Sequence, residues 1–241
     1  MNILKIGKAH IDVGTNCQDA ISRYEDELKI ICDGCSGGTH SEVGAKLFVK
    51  LFTEKYKYFA SKGKYIINER SGVERLIQST MDDIVKFIGN DIRTVLDYLC
   101  FTIVISHECM LDEEPLSFSE TFFVGDGYLI KIDKSTSEVS FINLSGGEYP
   151  EYLSYNYINP ESLSLYKNGA NIHYTVFDPR CIVDYDIGVA SDGIRFIVNR
   201  PEDDPIRMEF VDIILSDNEI KMKRFINKHP EIFKDDVSIV I

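Results

Sequence analysis

The chain has 241 residues, 44% of them hydrophobic, with 13 Tyr, 14 Phe and no Trp. That is enough apolar material for a sizeable core, and it excludes a disordered chain. Lys and Arg number 26 against 39 Asp and Glu, a formal charge of −13; such a surface repels phosphate backbones and argues against nucleic acid as a partner.

No apolar run reaches membrane-spanning length, and the N-terminal MNILKIGKAHID has no signal-peptide core, so no membrane partner and a cytoplasmic location are expected. Ile3 to Ile6 predicts a short edge strand. The next segment, GKAHIDVGTNCQDAISRYEDE, reads as a polar loop carrying His10 and Asp19. Leu28 to Cys32 is an apolar run with one Lys, the pattern of a short buried strand. It ends in Asp33-Gly34 and a loop of small residues, Cys35, Ser36, Gly37 and Gly38. A carboxylate at a strand tip followed by glycine presents oxygen ligands to a hard cation, with the Gly34 carbonyl left accessible. Asp-Gly is equally an ordinary turn, so the motif gains meaning only in company. Cys32 and Cys35 have C-x-x-C spacing, but no second pair stands at zinc-like spacing, and small buried thiols beside a strand is the plainer reading.

Ser41 to about Phe59 predicts a helix: Val43, Leu47 and Leu51 recur at i+4, and Phe48, Phe52, Tyr56 and Phe59 extend that face. Ser71 to about Ile88 predicts a second, opened by a Ser71–Glu74 capping box and striped by Val73, Leu76, Ile77, Ile84 and Ile88. Asp91 to Tyr98 adds a turn or two. From Leu99 the period becomes that of strands: LCFTIVISH, then, past the acidic loop MLDEEPLS, ETFFVGDGYLIKID and EVSFINLS. Gly125-Asp126-Gly127 between two apolar runs is a hairpin signature with Asp126 at its tip. Ser145 to Pro179 reads as a loop with one or two irregular strands, one of them at Ile172–Phe177. Ile182 to Ala190 is a strand ending in Ser191-Asp192-Gly193, RPEDDP a charged loop, and Met208–Leu215 and Glu219–Asn227 are helical. KDDVSIVI leads two carboxylates into a terminal strand. There is no repeat and no linker, so residues 1–241 are expected to form one domain. Strands cluster on both sides of a helical block, which predicts an α+β fold of antiparallel sheets with segregated helices rather than a doubly wound parallel sheet.

Strand ends thus repeatedly carry an aspartate: Asp33, Asp126, Asp192, and Asp235 or Asp236, with Asp19 in NCQDA beside them. In order and surroundings these motifs resemble the metal-dependent protein phosphatases, the protein phosphatase 2C-like family, in a divergent bacterial-type form. NCQDA stands where the family has Asn-Glu/Gln-Asp-Ala, and ICDGCSGG for its strand with Asp-Gly. SEVGAKL resembles the start of its first long helix, LCFTIVISH its strand with a central Thr (Thr102), and VGDGYLI its Gly-Asp-Ser segment. ASDGI stands for its Ser-Asp-Gly and DDVSIVI for its C-terminal strand.

The resemblance implies a four-layer αββα sandwich, two antiparallel sheets flanked by helix pairs, with Mg²⁺ or Mn²⁺ at one edge: two ions and a weaker third. Asp33 would bridge the two, with the Gly34 carbonyl on one. Asp192 and Asp235 would complete the first ion's protein ligands, Asp19 would serve the other, and Asp126 with Asp192 would form the third site. Asp33 and Asp192 carry the chemistry, direct attack of a metal-bridging water on a phosphomonoester. The implied substrate is a phosphoserine or phosphothreonine protein, with a cognate kinase and a role in signalling. All-oxygen donors do select Mg²⁺ or Mn²⁺ over zinc, and carboxylates so grouped repel one another unless a cation or a proton joins them.

Two departures stand out. The Arg that holds the substrate phosphate in many members falls near Gly14 here, leaving Lys8 and His10 as the nearest phosphate-binding replacements. Where some members have His after Asp-Gly, this chain has Cys35. Arg195, just past Asp192-Gly193, reads as a surface residue within reach of a phosphate. Two further readings stay open: a catalytically weak binding module that keeps the fold, and a phosphatase of small molecules. Ser145–Pro179 occupies the part of the chain where the family varies a flap beside its active site, and is the expected seat of substrate selection.

Overall fold

The computed structural model describes residues 1–62, 70–110, 117–145, 151–158, 169–177 and 185–241. In chain order, β1 (Asn2–Lys5) is followed by α1 (Lys8–Val13), β2 (Ala20–Tyr24), β3 (Leu28–Gly34), α2 (Ser41–Lys62) and α3 (Arg70–Ile88). A short α4 (Ile92–Thr94), capped by Asp91 accepting from the Thr94 amide, runs into a π turn, Val95–Leu99. Then come β4 (Phe101–Met110), β5 (Ser117–Val124), β6 (Asp126–Asp133), β7 (Val139–Ser145), β8 (His173–Phe177) and β9 (Tyr185–Ala190). After a 3₁₀ turn, Asp192–Ile194, the chain closes with α5 (Arg195–Val198), α6 (Pro205–Leu215), α7 (Glu219–Lys228) and β10 (Val237–Val240).

Among the described residues the strands form two five-stranded sheets, ordered β1-β10-β9-β6-β7 and β2-β3-β4-β5-β8, antiparallel throughout. Three apolar cores separate four layers. In β3, Leu28, Ile30 and Cys32 face α2 and α3, while Ile31 faces the opposite sheet. In β4, Phe101, Ile103 and Ile105 face the helices and Val104 faces inward. In β6, Tyr128, Ile130 and Ile132 face α6 and α7, with Leu129 inward. Both faces of these central strands are buried, which is why they read as continuous apolar runs instead of alternating ones. The architecture is the expected helix–sheet–sheet–helix sandwich.

Helix α2 buries Phe48, Phe52 and Tyr56 completely, their rings spaced 5.8 and 6.4 Å apart along the helix. Leu47 and Leu51 only flank this row and Val43 is 37% exposed, so the buried face lies one residue round from the stripe that starts at Val43. The shift follows from Gly44, which packs against the π turn so tightly that a Cβ there would lie 2.0 Å from the Tyr98 carbonyl oxygen. Helix α3 begins at Arg70, one residue before the expected cap, and buries Val73, Leu76, Ile77 and Ile84. On the other side, α6 starts with Pro205 behind an Asp204 cap and α7 behind an Asn218 cap, both predicted as helices and both seated on their sheet.

Two expectations fail. The polar segment after β1 is not a loop: it contains helix α1, ended by Gly14 in the left-handed region (φ 71°), and edge strand β2, paired with β3 from Ala20↔Cys32 to Tyr24↔Leu28. Helix α1 buries no residue and β2 has only one neighbour, so neither imposes an apolar pattern on the sequence. Nor is Gly125-Asp126-Gly127 a hairpin. β5 lies in one sheet and β6 in the other, and at Gly125 (φ 88°) the chain crosses between them, so close to β4 that a Cβ would meet Thr102 Cγ2 at 2.7 Å. Tight glycines and apolar flanks serve either geometry, and the flanks are buried on both faces in each.

The strand expected near Ile172–Phe177 is β8, and a 3₁₀ turn spans Leu153–Tyr157. The remaining parts of the expected flap (146–150, 159–168, 178–184) and of the acidic loop (111–116) lie outside the described residues. Among the described residues, no helix is long and apolar enough to cross a membrane.

Candidate metal centre

Strand direction gathers the aspartates. β3 and β9 run toward one end of the sandwich and finish in Asp33-Gly34 and Ser191-Asp192; β2, β6 and β10 run the other way and begin there, behind Asp19, at Asp126 and behind Asp235. Residues from five separate segments therefore meet at one edge.

Asp19 is fully buried; its Oδ2 accepts from Ser238 Oγ at 2.5 Å, a bond that joins the two sheets, and its Oδ1 has no hydrogen-bond partner. Burial, reinforced by the Asp236 charge, pushes the Asp19 carboxyl up to about 7 against the pull of Ser238. Asp33 lies opposite Thr102 on β4, where the charges of Asp19 and Asp192 act on it. Burial and then those two charges raise it well above the usual carboxylate range. Asp192, half-buried, is pushed up to about 6 by burial and by Asp126 and Asp235. Burial raises Asp126 too, with Arg195 acting against it. Like charges gathered in a partly dry site take up protons in just this way.

Gly34 sits so close to the Gln18 carbonyl and Ser41 Oγ, 2.9 and 2.8 Å from a hypothetical Cβ, that no side chain fits there. Gly193 is tighter still, with the Asp236 carbonyl oxygen 1.8 Å from where a Cβ would be. Gly193→Ala is accordingly expected to cost about 1–3 kcal/mol by overpacking, measured by urea unfolding, because the Asp192 turn must lift off β10.

The structure separates the two members of the C-terminal doublet. Asp236 is buried and accepts from the Gly7 and Gln18 amides at 2.7 and 2.6 Å, tying the segment that holds α1 to the last strand. Asp235 is exposed, and its charge reaches Asp33 and Asp192. His10 is wedged beside the pair: Nε2 is 3.8 Å from Asp235 Oδ1, and Nδ1 is 2.9 Å from Asp236 Oδ1 without hydrogen-bond alignment. Lys8 is ion-paired with Asp12 on the surface of α1. Asp19, Asp33, Gly34, Asp126, Asp192 and Asp235 thus come to one edge, His10 borders it, and Lys8 is turned to a neighbour on its own helix.

Sequence reasoning missed Ser238 and Gln18. Gln18 Nε2 donates to Ser41 Oγ at 2.9 Å and to the Cys35 carbonyl at 3.3 Å, bracing the loop after Asp33. An ordinary serine or glutamine carries no signal of such a role. Cys17, Cys32, Cys35 and Cys100 are free thiols. Cys32, in β3, is buried against the helices, as expected, while Cys35 is partly exposed.

The donors here are oxygens alone. Among the described residues, no group of three or more His, Cys, Asp or Glu side chains is already set to hold a metal ion; the carboxylates are linked by their charges, Asp33 with Asp19, Asp192 and Asp235, and Asp192 with Asp126 and Asp235. The group has carboxylates that raise one another's proton affinity and a buried Asp19 oxygen without a hydrogen-bond partner. Those features suit hard divalent cations, which take oxygen ligands and can be bridged by one carboxylate.

The sequence matches the family model described as Protein phosphatase 2C over residues 6–152, while no curated protein matches it. Similar folds occur in the serine/threonine phosphatase Stp1 from Staphylococcus aureus (15% identity, 99% of this chain and 92% of that one, TM-score 0.59) and in PppA from Pseudomonas aeruginosa (12%, 99% and 94%, 0.51). A phosphatase from Toxoplasma gondii is similar as well (11%, 99% and 90%, 0.57). At such identities these structures share the fold with this chain and nothing finer. With the family model covering more than half of its length, the chain belongs to the protein phosphatase 2C family.

Proposed function

We propose that residues 1–241 act as one catalytic domain, a Mg²⁺- or Mn²⁺-dependent phosphatase of phosphoserine and phosphothreonine proteins that works opposite a cognate kinase. The observation that carries this reading is the meeting of Asp19, Asp33, Asp126, Asp192 and Asp235 at one edge, in a row whose proton affinity is raised by burial and mutual repulsion.

Asp33 would be held in common by two ions, with the Gly34 carbonyl beside it. Asp192 and Asp235 would serve one ion, Asp19 the other, and Asp126 with Asp192 a weaker third. Bound there, such cations supply an acidified water for in-line attack on phosphorus and offset the charge of the phosphoryl oxygens. The chain's own contribution is placement. Ser238 fixes Asp19 through Oδ2 and leaves Oδ1 for a ligand. Gly193 seats the Asp192 turn on β10, and Asp236 anchors the entry to that strand so that Asp235 projects from it. No side-chain nucleophile is needed, and no phosphoenzyme should accumulate.

Hydrolysis of p-nitrophenyl phosphate and of a phosphothreonine peptide by the purified chain should require added Mn²⁺ and stop with EDTA. Turnover that persists in EDTA would overturn the metal assignment. Mn²⁺ binding with no turnover of either substrate would make the chain a binding module instead.

A further inference from the structure

A phosphatase of this kind needs a fixed cation for the incoming phosphate, and the N-terminal segment does not offer one. Lys8 is paired with Asp12, His10 is held beside Asp235 and Asp236, and Gly14, which ends α1, has no side chain. We propose that Arg195 is the residue that receives and orients the substrate's phosphoryl oxygens, so that the phosphate enters past Asp126 and Asp192 and not past α1. This rests on the phosphatase reading above and adds to it the residue that recognises the phosphomonoester.

Arg195 is the first residue of α5, directly after the 3₁₀ turn that carries Asp192. That turn cannot drift: Gly193 is pressed onto the Asp236 carbonyl, and Ile194 and Ile197 are fully buried on either side of Arg195. The Arg195 side chain is exposed, with its guanidinium 5.3 Å from the ring of Phe196, itself 54% exposed. Arg23, Arg70, Arg93, Arg200 and Arg207 each lean on a carboxylate, and Arg75 and Arg224, which show no ion pair among the described residues, stand on α3 and α7 rather than on the Asp192 turn. Arg195 makes no ion pair among the described residues, although Asp126, Tyr128 and Asp192 all lie within its electrostatic reach. An anchored backbone, a free planar fork and a position beside the ligand row are what a bidentate phosphate contact requires. A guanidinium stays charged throughout the working pH range, and its fork matches two phosphoryl oxygens as a lysine's point charge does not.

The test uses the Mn²⁺-supplemented full chain with a phosphothreonine peptide. Arg195→Ala should raise KM roughly tenfold or more while kcat changes by less than about threefold, the signature of a lost substrate contact. Inhibition by inorganic phosphate should weaken in parallel, and Arg195→Lys should recover part of both. Arg224→Ala, which removes another exposed arginine on α7, should leave KM unchanged; an equal rise there would mean a general charge effect and overturn the assignment. So would an unchanged KM and phosphate affinity in Arg195→Ala, or a variant that loses Mn²⁺ binding in calorimetry, since Arg195 would then be supporting the ligand row. Should the wild-type chain hydrolyse neither substrate, the phosphatase reading falls by itself. Calorimetric titration of inorganic phosphate into wild type and Arg195→Ala, with and without Mn²⁺, then decides the role of Arg195: weaker binding to the variant upholds it and equal binding ends it.

Discussion

Replacing Asp33 with Asn is expected to lower kcat/KM by at least about 10³-fold, roughly 4 kcal/mol of transition-state stabilisation, while leaving the fold intact. Asp33 interacts with both Asp19 and Asp192, the carboxylates assigned to different ions, so its loss would remove the ligand common to both proposed ions. A purely structural role predicts the opposite stability change from a catalytic one. Burial and two adjacent charges make an ionised Asp33 costly, so in EDTA at pH 8 the Asn variant should unfold at a higher temperature than wild type. Higher stability with lost activity is what a residue kept for chemistry should show. Mn²⁺ should raise the thermal midpoint of wild type and hardly that of the variant, because only binding to the folded state stabilises. Turnover within a few-fold of wild type would remove Asp33 from the mechanism. Asp192→Asn should fall less steeply, since one ion would keep its ligands.

The second large effect is on stability against pH in the metal-free chain. Asp19 and Asp192 lose their protons at about 7 and about 6 when folded, against 3.8 for an unperturbed aspartate. Between about pH 4 and 7 the folded state therefore holds more protons than the unfolded one, and stability falls as pH rises through that window. Below it both states are protonated and nothing is lost; above it the full cost of the ionised row is present. In EDTA, the thermal midpoint should drop by roughly 5–10 °C between pH 5 and pH 8, a change of a few kcal/mol in a chain of this size. Asp133, held down at about 2 by Ser135 and Thr136, acts in the opposite direction only below about pH 4 and does not mask the trend. Saturating Mn²⁺ should restore the midpoint at pH 8 and do little at pH 5, where protons compete for the same oxygens. A midpoint that is flat or rises from pH 5 to 8 in EDTA would mean that the carboxylates do not crowd one another as described.

Much of the architecture was legible in the chain because it rests on local pattern. Leu28 to Cys32 and the run from Leu99 read as buried strands, since central strands packed on both faces are apolar without interruption. α2 and α3 showed helical periodicity because each turns one face to the core, and the segments of α6 and α7 read as helical too. Asp33, Asp126 and Asp192 were picked out by the glycines that follow them, and the close approaches of Gly34 and Gly193 show why glycine stands there. The order of these motifs carried the family resemblance over most of the chain.

What the tertiary structure decided depends on residues far apart in sequence. Which of Asp235 and Asp236 is buried and which stays exposed is undetermined in the string DDVS. It is set by the Gly7 and Gln18 amides, 229 and 218 positions away, which capture Asp236 and leave Asp235 outside. The partner of Asp19, Ser238, is 219 residues distant. β5 and β6 flank a turn that suits a hairpin, yet they separate into different sheets because each finds its apolar neighbours there. α1, with no buried face, left no periodic trace, and Arg195 stands out only once it is seen beside the Asp192 turn without an ion pair among the described residues. Apolar pattern records how much of a side chain is covered; which group covers it is settled when distant segments meet.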